Sequence, residues 1–212
     1  MTRKSLTTIS AAALAVLAIV PTAFAATLTG GESSERLIGT RVADTISAAG
    51  GNDRVFALAG DDSIDAGAGS DLVVAGKGND TVDGAAGNDR VFAGEGVDTV
   101  RGGDGNDRLW AMARVDAVAG DGTADTVDGG AGDDRIMTRD GEADSVTCGE
   151  GSDRAVLDNQ DVIADATAES PNGSCETVVR GEPRARDADT VQEKAMERLA
   201  DLAARWKARL GR

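Results

Sequence analysis

The sequence predicts an all-β fold: a parallel β-solenoid, or β-roll, of stacked 18-residue coils, followed by a C-terminal α-helix. Three observations predict it. Aspartate recurs every nine residues in an unbroken series of eleven, at Asp44, Asp53, Asp62, Asp71, Asp80, Asp89, Asp98, Asp107, Asp116, Asp125 and Asp134. A branched aliphatic follows each by two residues, at Ile46, Val55, Ile64, Val73, Val82, Val91, Val100, Leu109, Val118, Val127 and Ile136. Glycine precedes eight of the eleven by two residues, at Gly51, Gly60, Gly69, Gly78, Gly87, Gly96, Gly105 and Gly132. A fixed short period of this kind is the mark of a repeat architecture, in which no single unit buries its apolar face alone.

The composition agrees. Glycine makes up 28 of 212 residues, aromatics 2%, and there is no histidine and no tyrosine. A conventional core needs more large apolar side chains than this. The fold must bury small residues in a regular way, or lean on metal.

The N-terminus reads as a secretory signal peptide over residues 1–25. Arg3 and Lys4 give the basic start, Leu6 to Ile19 is apolar, and Pro21 precedes Ala23-Phe24-Ala25, an A-x-A cleavage signal. The mature chain is expected to start at Ala26, with no transmembrane segment, and to be secreted and extracellular. The whole chain carries −15. Pro183 to Arg212 holds eight Lys/Arg against five Asp/Glu, so the repeat body is the strongly acidic part. Such a body repels nucleic acid and attracts cations.

Within the repeat, glycine supplies the positive-φ turns and the aliphatic sits inward on a strand of about three residues. Two nonapeptides make one coil of turn, strand, turn, strand. Stacked coils pair their strands in parallel at about 4.8 Å. The aspartates then fall into two columns. In an uninterrupted 18-residue frame these are Asp44, Asp62, Asp80, Asp98, Asp116, Asp134 and Asp53, Asp71, Asp89, Asp107, Asp125. Two carboxylates about 5 Å apart repel by about 3 kcal/mol at an effective dielectric near 20. Something must neutralise the columns, and calcium, which takes six to eight hard oxygen ligands, is the natural candidate.

Two stretches carry a family resemblance: Gly102-Gly103-Asp104-Gly105-Asn106-Asp107-Arg108-Leu109-Trp110 and Gly129-Gly130-Ala131-Gly132-Asp133-Asp134-Arg135-Ile136-Met137. Both match G-G-x-G-x-D-x-U-x, where U is a large aliphatic. Over about residues 39–156 the chain resembles the RTX (repeats-in-toxin, haemolysin-type) calcium-binding family, as a short secreted member without a toxin or protease module. The resemblance implies Ca2+ held between successive turns, with Asp44, Asp53, Asp62, Asp71, Asp80, Asp89, Asp98, Asp107, Asp125 and Asp134 as metal ligands.

The departures are informative. The first repeat position is often alanine (Ala48, Ala57, Ala66, Ala75, Ala93), which points to a stacking role there more than to positive φ. Ala111 to Asp116 has Arg114 where glycine belongs, so residues 111–124 read as a degenerate coil or bulged loop. One extra residue near Thr138 shifts the frame, after which Asp144/Val146 and Asp153/Ala155 continue it.

The two sheets should differ. One carries the outward pairs Arg54/Phe56, Leu72/Val74, Arg90/Phe92 and Arg108/Trp110; the other Thr45/Ser47, Ser63/Asp65, Thr81/Asp83 and Thr99/Arg101. The first is an apolar-aromatic stripe edged with arginine, and a contiguous stripe of this kind should be covered. The roll is expected over 26–156. Cys148 and Cys175 read as a disulfide, as an even pair does in a secreted chain, closing a cap over 157–182. Residues 183–212 read as a linker and an amphipathic helix. Thr190-Val191-Gln192-Glu193 fits a capping box, and Val191, Ala195, Leu199, Leu202, Trp206 and Leu210 form one stripe. That helix docks on the aromatic sheet, meets a partner or a second copy, or attaches the chain to a surface.

For function, the leading expectation is extracellular calcium binding with calcium-induced folding, in a structural or adhesive role. The partner would be a cell surface, a polysaccharide or a protein, and not nucleic acid. The alternative is a recognition surface for polysaccharide or ice on the flat row Thr45, Ser63, Thr81, Thr99. An enzyme is disfavoured: without histidine there is no His-based triad and no H-E-x-x-H zinc site.

Overall fold

The computed structural model describes residues 9–10, 24–111, 124–170 and 172–181. Every regular element among them is a strand, and every strand pairing is parallel. The first sheet holds β1 (Ile9–Ser10), β2 (Thr27–Thr29), β4 (Thr45–Ser47), β6 (Ser63–Asp65), β8 (Thr81–Asp83), β10 (Thr99–Asp104), β12 (Thr126–Ala131), β14 (Ser145–Glu150) and β16 (Val162–Ile163). The second holds β3 (Arg36–Ile38), β5 (Arg54–Ala59), β7 (Leu72–Lys77), β9 (Arg90–Glu95), β11 (Arg108–Trp110), β13 (Arg135–Met137), β15 (Arg154–Leu157) and β17 (Thr177–Arg180). From β2 onward consecutive strands alternate between the sheets, which is the β-solenoid expected from the nine-residue period.

The core is thin and repetitive. Ile46, Val55, Val73, Val82, Val91, Val100, Leu109, Val127 and Ile136 are buried between the sheets. The first-position alanines Ala48, Ala57, Ala66, Ala75 and Ala93 are buried with them. Their φ is ordinary; within the regular repeats the positive values fall at the second and fourth positions. The fourth position needs glycine for two reasons. At Gly69 and Gly87 φ is +139° and +131°, and a Cβ would come within 1.7 Å of the carbonyl oxygen of Gly51 and Gly69 respectively, one coil below.

The step between paired strands is 18 residues through most of the roll, as in Thr45↔Ser63 and Arg54↔Leu72. It is 27 at one place: Thr99 pairs with Thr126 and Arg108 with Arg135. One nonapeptide is thus passed over. This corrects the uninterrupted columns. Asp125 joins the column of Asp98, and Asp134 joins that of Asp107. Asp116 and Val118 lie outside the described residues. The physical reason is the one the sequence hinted at: the segment with Arg114 lacks the glycine turn that a coil requires, while skipping it keeps like with like on both faces. The next step is 19 residues, Thr126↔Ser145 and Arg135↔Arg154, matching the extra residue near Thr138.

The faces follow the register. Thr45, Ser63, Thr81, Thr99 and Thr126 form one exposed row on the first sheet. On the second, Arg36, Arg54, Arg90, Arg108, Arg135 and Arg154 share a row broken once by Leu72. Beside it, Phe56, Val74 and Phe92 form a second apolar cluster on the outer face, flanked by Leu72 and Trp110. Trp110 stacks on Phe92 with ring centroids 4.4 Å apart, and the Arg36 guanidinium lies 5.1 Å from the centre of the Phe56 ring. Although these side chains point away from the roll interior, Phe56 is only 5% and Phe92 only 7% exposed, so the middle of the stripe is covered, while Ile38 in the same row is exposed.

Cys148 and Cys175 form the disulfide, with both residues in the main core at the C-terminal end. Ser174 Oγ accepts hydrogen bonds from the Cys148 and Gly149 amides at 2.9 and 3.0 Å, tying the same segment to β14. The amphipathic helix expected over 190–210 lies outside the described residues. Among the described residues no helix is long and apolar enough to cross a membrane.

Candidate metal centre

The aspartates are buried and linked from coil to coil. Each donates its backbone N–H to Oδ1 of the aspartate one coil later. In one column the bonds run Ala26 to Asp44, Asp44 to Asp62, Asp62 to Asp80, Asp80 to Asp98, Asp98 to Asp125 and Asp125 to Asp144, at 2.6–2.8 Å. In the other they run Glu35 to Asp53, Asp53 to Asp71, Asp71 to Asp89, Asp89 to Asp107, Asp107 to Asp134 and Asp134 to Asp153, also at 2.6–2.8 Å. The side chain therefore does structural work before any ion is considered: it satisfies a buried amide that the short strands leave unpaired.

The second carboxylate oxygen is different. Oδ2 of Asp53, Asp62, Asp71, Asp80, Asp89, Asp107, Asp134, Asp144 and Asp153 is buried and accepts no hydrogen bond. A buried carboxylate oxygen without a partner is costly. Burial is the main reason their acidities are weak. It pushes Asp80 up to about 8 and Asp89 and Asp134 to about 7, with neighbouring aspartates adding to the rise and the backbone hydrogen bond opposing it. Asp53, Asp71 and Asp107 shift upward for the same first cause. A hard divalent cation fits this donor set: it supplies the missing partner for each Oδ2 and the counter-charge for the column. Asp44 fits less well, because Thr40 already donates to both of its oxygens, from the amide to Oδ2 at 2.5 Å and from the hydroxyl to Oδ1 at 3.0 Å.

Several functional positions lie beyond the period-nine series. Glu35 stands nine residues before Asp44 and begins one column. Asp161 ends the other, receiving the Asp144 amide at 3.2 Å, and Glu176 receives that of Asp153 at 2.6 Å. A further ladder runs beside the aspartates, one residue earlier. Asn52 Oδ1 accepts from the Ser70 amide, Asn79 from Val97, Asn88 from Asn106 and Asn106 from Asp133. It runs the opposite way, each side chain binding the coil after it, so at these turns the two ladders clamp the chain from both sides. The Asn-Asp dipeptides at 52–53, 79–80, 88–89 and 106–107 are the sequence signal for it.

The sequence profile of the RTX calcium-binding nonapeptide repeat (4 copies) matches this chain in overlapping segments: 29–64, 47–82, 65–100, 83–113, 92–121, 110–143 and 119–155. The chain belongs to the RTX calcium-binding nonapeptide repeat family. No curated protein and no solved structure matches it. RTX repeats bind calcium, and this RTX roll carries its buried, unpartnered carboxylate oxygens at the aspartate of the repeat.

Proposed function

We propose that this RTX protein is secreted and that extracellular calcium folds its roll, which then serves a structural or adhesive role. Asp44, Asp53, Asp62, Asp71, Asp80, Asp89, Asp98, Asp107, Asp125 and Asp134 are the proposed ligands of the repeat sites. The observation that carries the reading is the set of buried Oδ2 atoms without a hydrogen-bond donor. Residues 1–25 are the proposed signal peptide, 26–156 the calcium-binding roll, 157–182 a disulfide-closed cap, and 183–212 a linker and helix. The Cys148–Cys175 disulfide supports an oxidising compartment. Metal binding and folding are then one event, since the site does not exist in the unfolded chain. The role is binding and not catalysis.

Adhesion would use the arginine row. Among the described residues Arg54, Arg90, Arg108, Arg135 and Arg154 form no ion pair, although the chain as a whole is acidic. Like charges in register repel, and an anionic polysaccharide would relieve that. A second reading is recognition by the hydroxyl row of the first sheet, favoured by its continuity: the 27-residue step brings Thr126 beside Thr99. Retention on acidic but not neutral polysaccharide, lost in high salt, would separate the first reading from the second.

The central experiment is circular dichroism of the mature chain with calcium and with a chelator. A β signal and a melting temperature that both survive chelation would remove calcium-driven folding from the account. Magnesium should substitute poorly, because it demands near-octahedral geometry and keeps its waters.

A further inference from the structure

The turn from Thr138 to Asp144 departs from the repeat. It carries the extra residue, and it adds acids that the nonapeptide lacks. Asp140 and Glu142 are each 5% exposed, and Asp144 is fully buried. Asp125, one coil earlier, is 4% exposed. Asp125, Asp140 and Asp144 each present a carboxylate oxygen within 4.8 Å of the other two. Among the described residues no other three acidic side chains converge in this way. A regular coil offers one bare carboxylate oxygen per column; here three carboxylates face one point.

A second observation points to a ligand. Asp144 Oδ1 accepts the Asp125 amide at 2.8 Å, while its Oδ2 is buried with no hydrogen-bond partner. Just beyond, Arg180 donates its Nη1 to the carbonyl oxygens of Asp158 and Asp161, both at 3.0 Å. The surrounding hydrogen bonds hold the turn rigidly: the Glu142 amide donates to Asp140 Oδ1 at 3.0 Å and Thr138 Oγ1 donates to Asp161 Oδ2 at 2.7 Å.

We propose that Asp140 joins the column aspartates Asp125 and Asp144 in a calcium site that no regular coil has, which holds its ion more tightly than the other repeat sites and keeps the C-terminal coils folded when those sites have emptied. The inference rests on the calcium-binding character of the RTX roll and adds one ligand, Asp140, that the nonapeptide does not encode. Calcium affinity rises with the number of charged ligands and with the rigidity of the site. Both favour this turn over a repeat turn. The site sits beside the disulfide end, so the part of the roll closed by Cys148–Cys175 would also be the part ordered first as calcium rises.

The test is calcium binding to the full chain, followed by calorimetric titration from the chelated protein. The expected wild-type isotherm has one ion bound at free calcium at least roughly tenfold below the rest, as extra carboxylate ligands require. Asp140→Asn should remove that ion from the tight phase and leave the weak phase, whereas Asp80→Asn should thin the weak phase alone. Hydrogen exchange of the wild type needs no variant. With calcium poised to fill only the tight phase, the β12 and β14 amides should be protected and those of β5 and β7 should not. A single phase of uniform affinity, a tight ion retained in Asp140→Asn, or protection appearing first in β5 and β7 would each overturn the proposal while leaving calcium binding by the repeats intact. Absence of any calcium binding by the wild type would instead overturn the family reading beneath it.

Discussion

The backbone N–H of Asp62 donates to Oδ1 of Asp80 at 2.8 Å across one coil, and Oδ2 of the same Asp80 has no donor. One side chain thus has two separable tasks, a structural one at Oδ1 and an ionic one at Oδ2. Asparagine keeps the first and loses the charge needed for the second; alanine loses both. Asp80→Asn should therefore weaken calcium binding in the mid-roll by roughly tenfold, about 1.4 kcal/mol, yet stabilise the calcium-free roll by removing a buried charge. Asp80→Ala should destabilise in either condition, by about 1–3 kcal/mol from the orphaned Asp62 amide alone. Melting curves of both variants with calcium and with chelator check this. If Asp80→Asn and Asp80→Ala behave alike without calcium, the Oδ1 bond contributes nothing. Asp116→Ala, outside the column that Asp98 and Asp125 share, should change neither measurement by more than a few tenths of a kcal/mol.

The calcium-free roll should be more stable in acid than at neutral pH, and the calcium-loaded roll the reverse. Burial first, then neighbouring charge, pushes Asp62 to about 6, Asp89 to about 7, Asp80 to about 8 and Asp125 to about 9. An unfolded aspartate titrates near 3.9. Between those limits the folded chain binds more protons than the unfolded one. Stability without calcium is thus greatest below about pH 4 and falls as pH rises toward 9. With calcium bound, ionised ligands are required and protons compete with the ion, so stability falls on acidification. Melting temperatures from pH 4 to 9 in chelator and in saturating calcium should cross. Parallel curves would contradict the assignment of calcium to these carboxylates.

The second repeat position takes positive φ whether or not glycine is present. Ala85 has φ +67°, where the equivalent Gly67 and Gly103 have +85° and +104°. A left-handed alanine costs about 1–2 kcal/mol, against about 0.5–1 kcal/mol for glycine's extra freedom in the unfolded chain. Ala85→Gly should gain roughly 0.5–1 kcal/mol in saturating calcium on that balance. Ala75→Gly, at a fully buried first position with ordinary φ, should lose about 1–2 kcal/mol through entropy and a lost core methyl. Equal effects of the two substitutions on melting temperature would mean that backbone strain does not distinguish these positions.

What was legible in the sequence follows from what each residue does alone. Aspartate at the sixth position and the aliphatic at the eighth have one role in every coil, so their period announces the solenoid, its two sheets and the buried alanines. The passed-over nonapeptide was not legible from that period, because the aspartate series continues unbroken through Asp116. The outward residues carry the information instead. An 18-residue step would set Thr126 beside Arg108, whereas the 27-residue step sets Thr126 beside Thr99 and Arg135 beside Arg108. The ends of the columns were hidden because Glu35 and Glu176 replace aspartate with a longer acid. Asp144 was legible as a continuation of the repeat, but Asp140 was hidden because the extra residue puts it out of phase with every repeat position.

The last prediction concerns what covers the aromatic stripe. Phe56, Val74 and Phe92 lie on the outer face of the second sheet and are at most 7% exposed. Residues 190–210, outside the described part of the chain, carry a stripe of Leu199, Leu202 and Trp206 and acids at Glu193, Glu197 and Asp201. These could face the arginines of the rim, where a screened pair adds orientation more than stability. Covering several hundred Å² of apolar surface is worth several kcal/mol at about 25 cal/mol per Å², before the cost of ordering the segment. Ending the chain after Arg180 keeps β17 and removes the linker and helix together with the last two residues of the cap. In calcium, the shortened protein should melt at lower temperature and bind an apolar-surface dye that the whole chain does not. With Trp206→Phe in the whole chain used for comparison, so that Trp110 is the one indole in both, its emission should shift to the red on shortening, because its half-buried ring would meet more water. A shortened chain with unchanged melting, no dye binding and unshifted Trp110 would assign the helix to a partner and leave Phe56 and Phe92 covered by the roll itself.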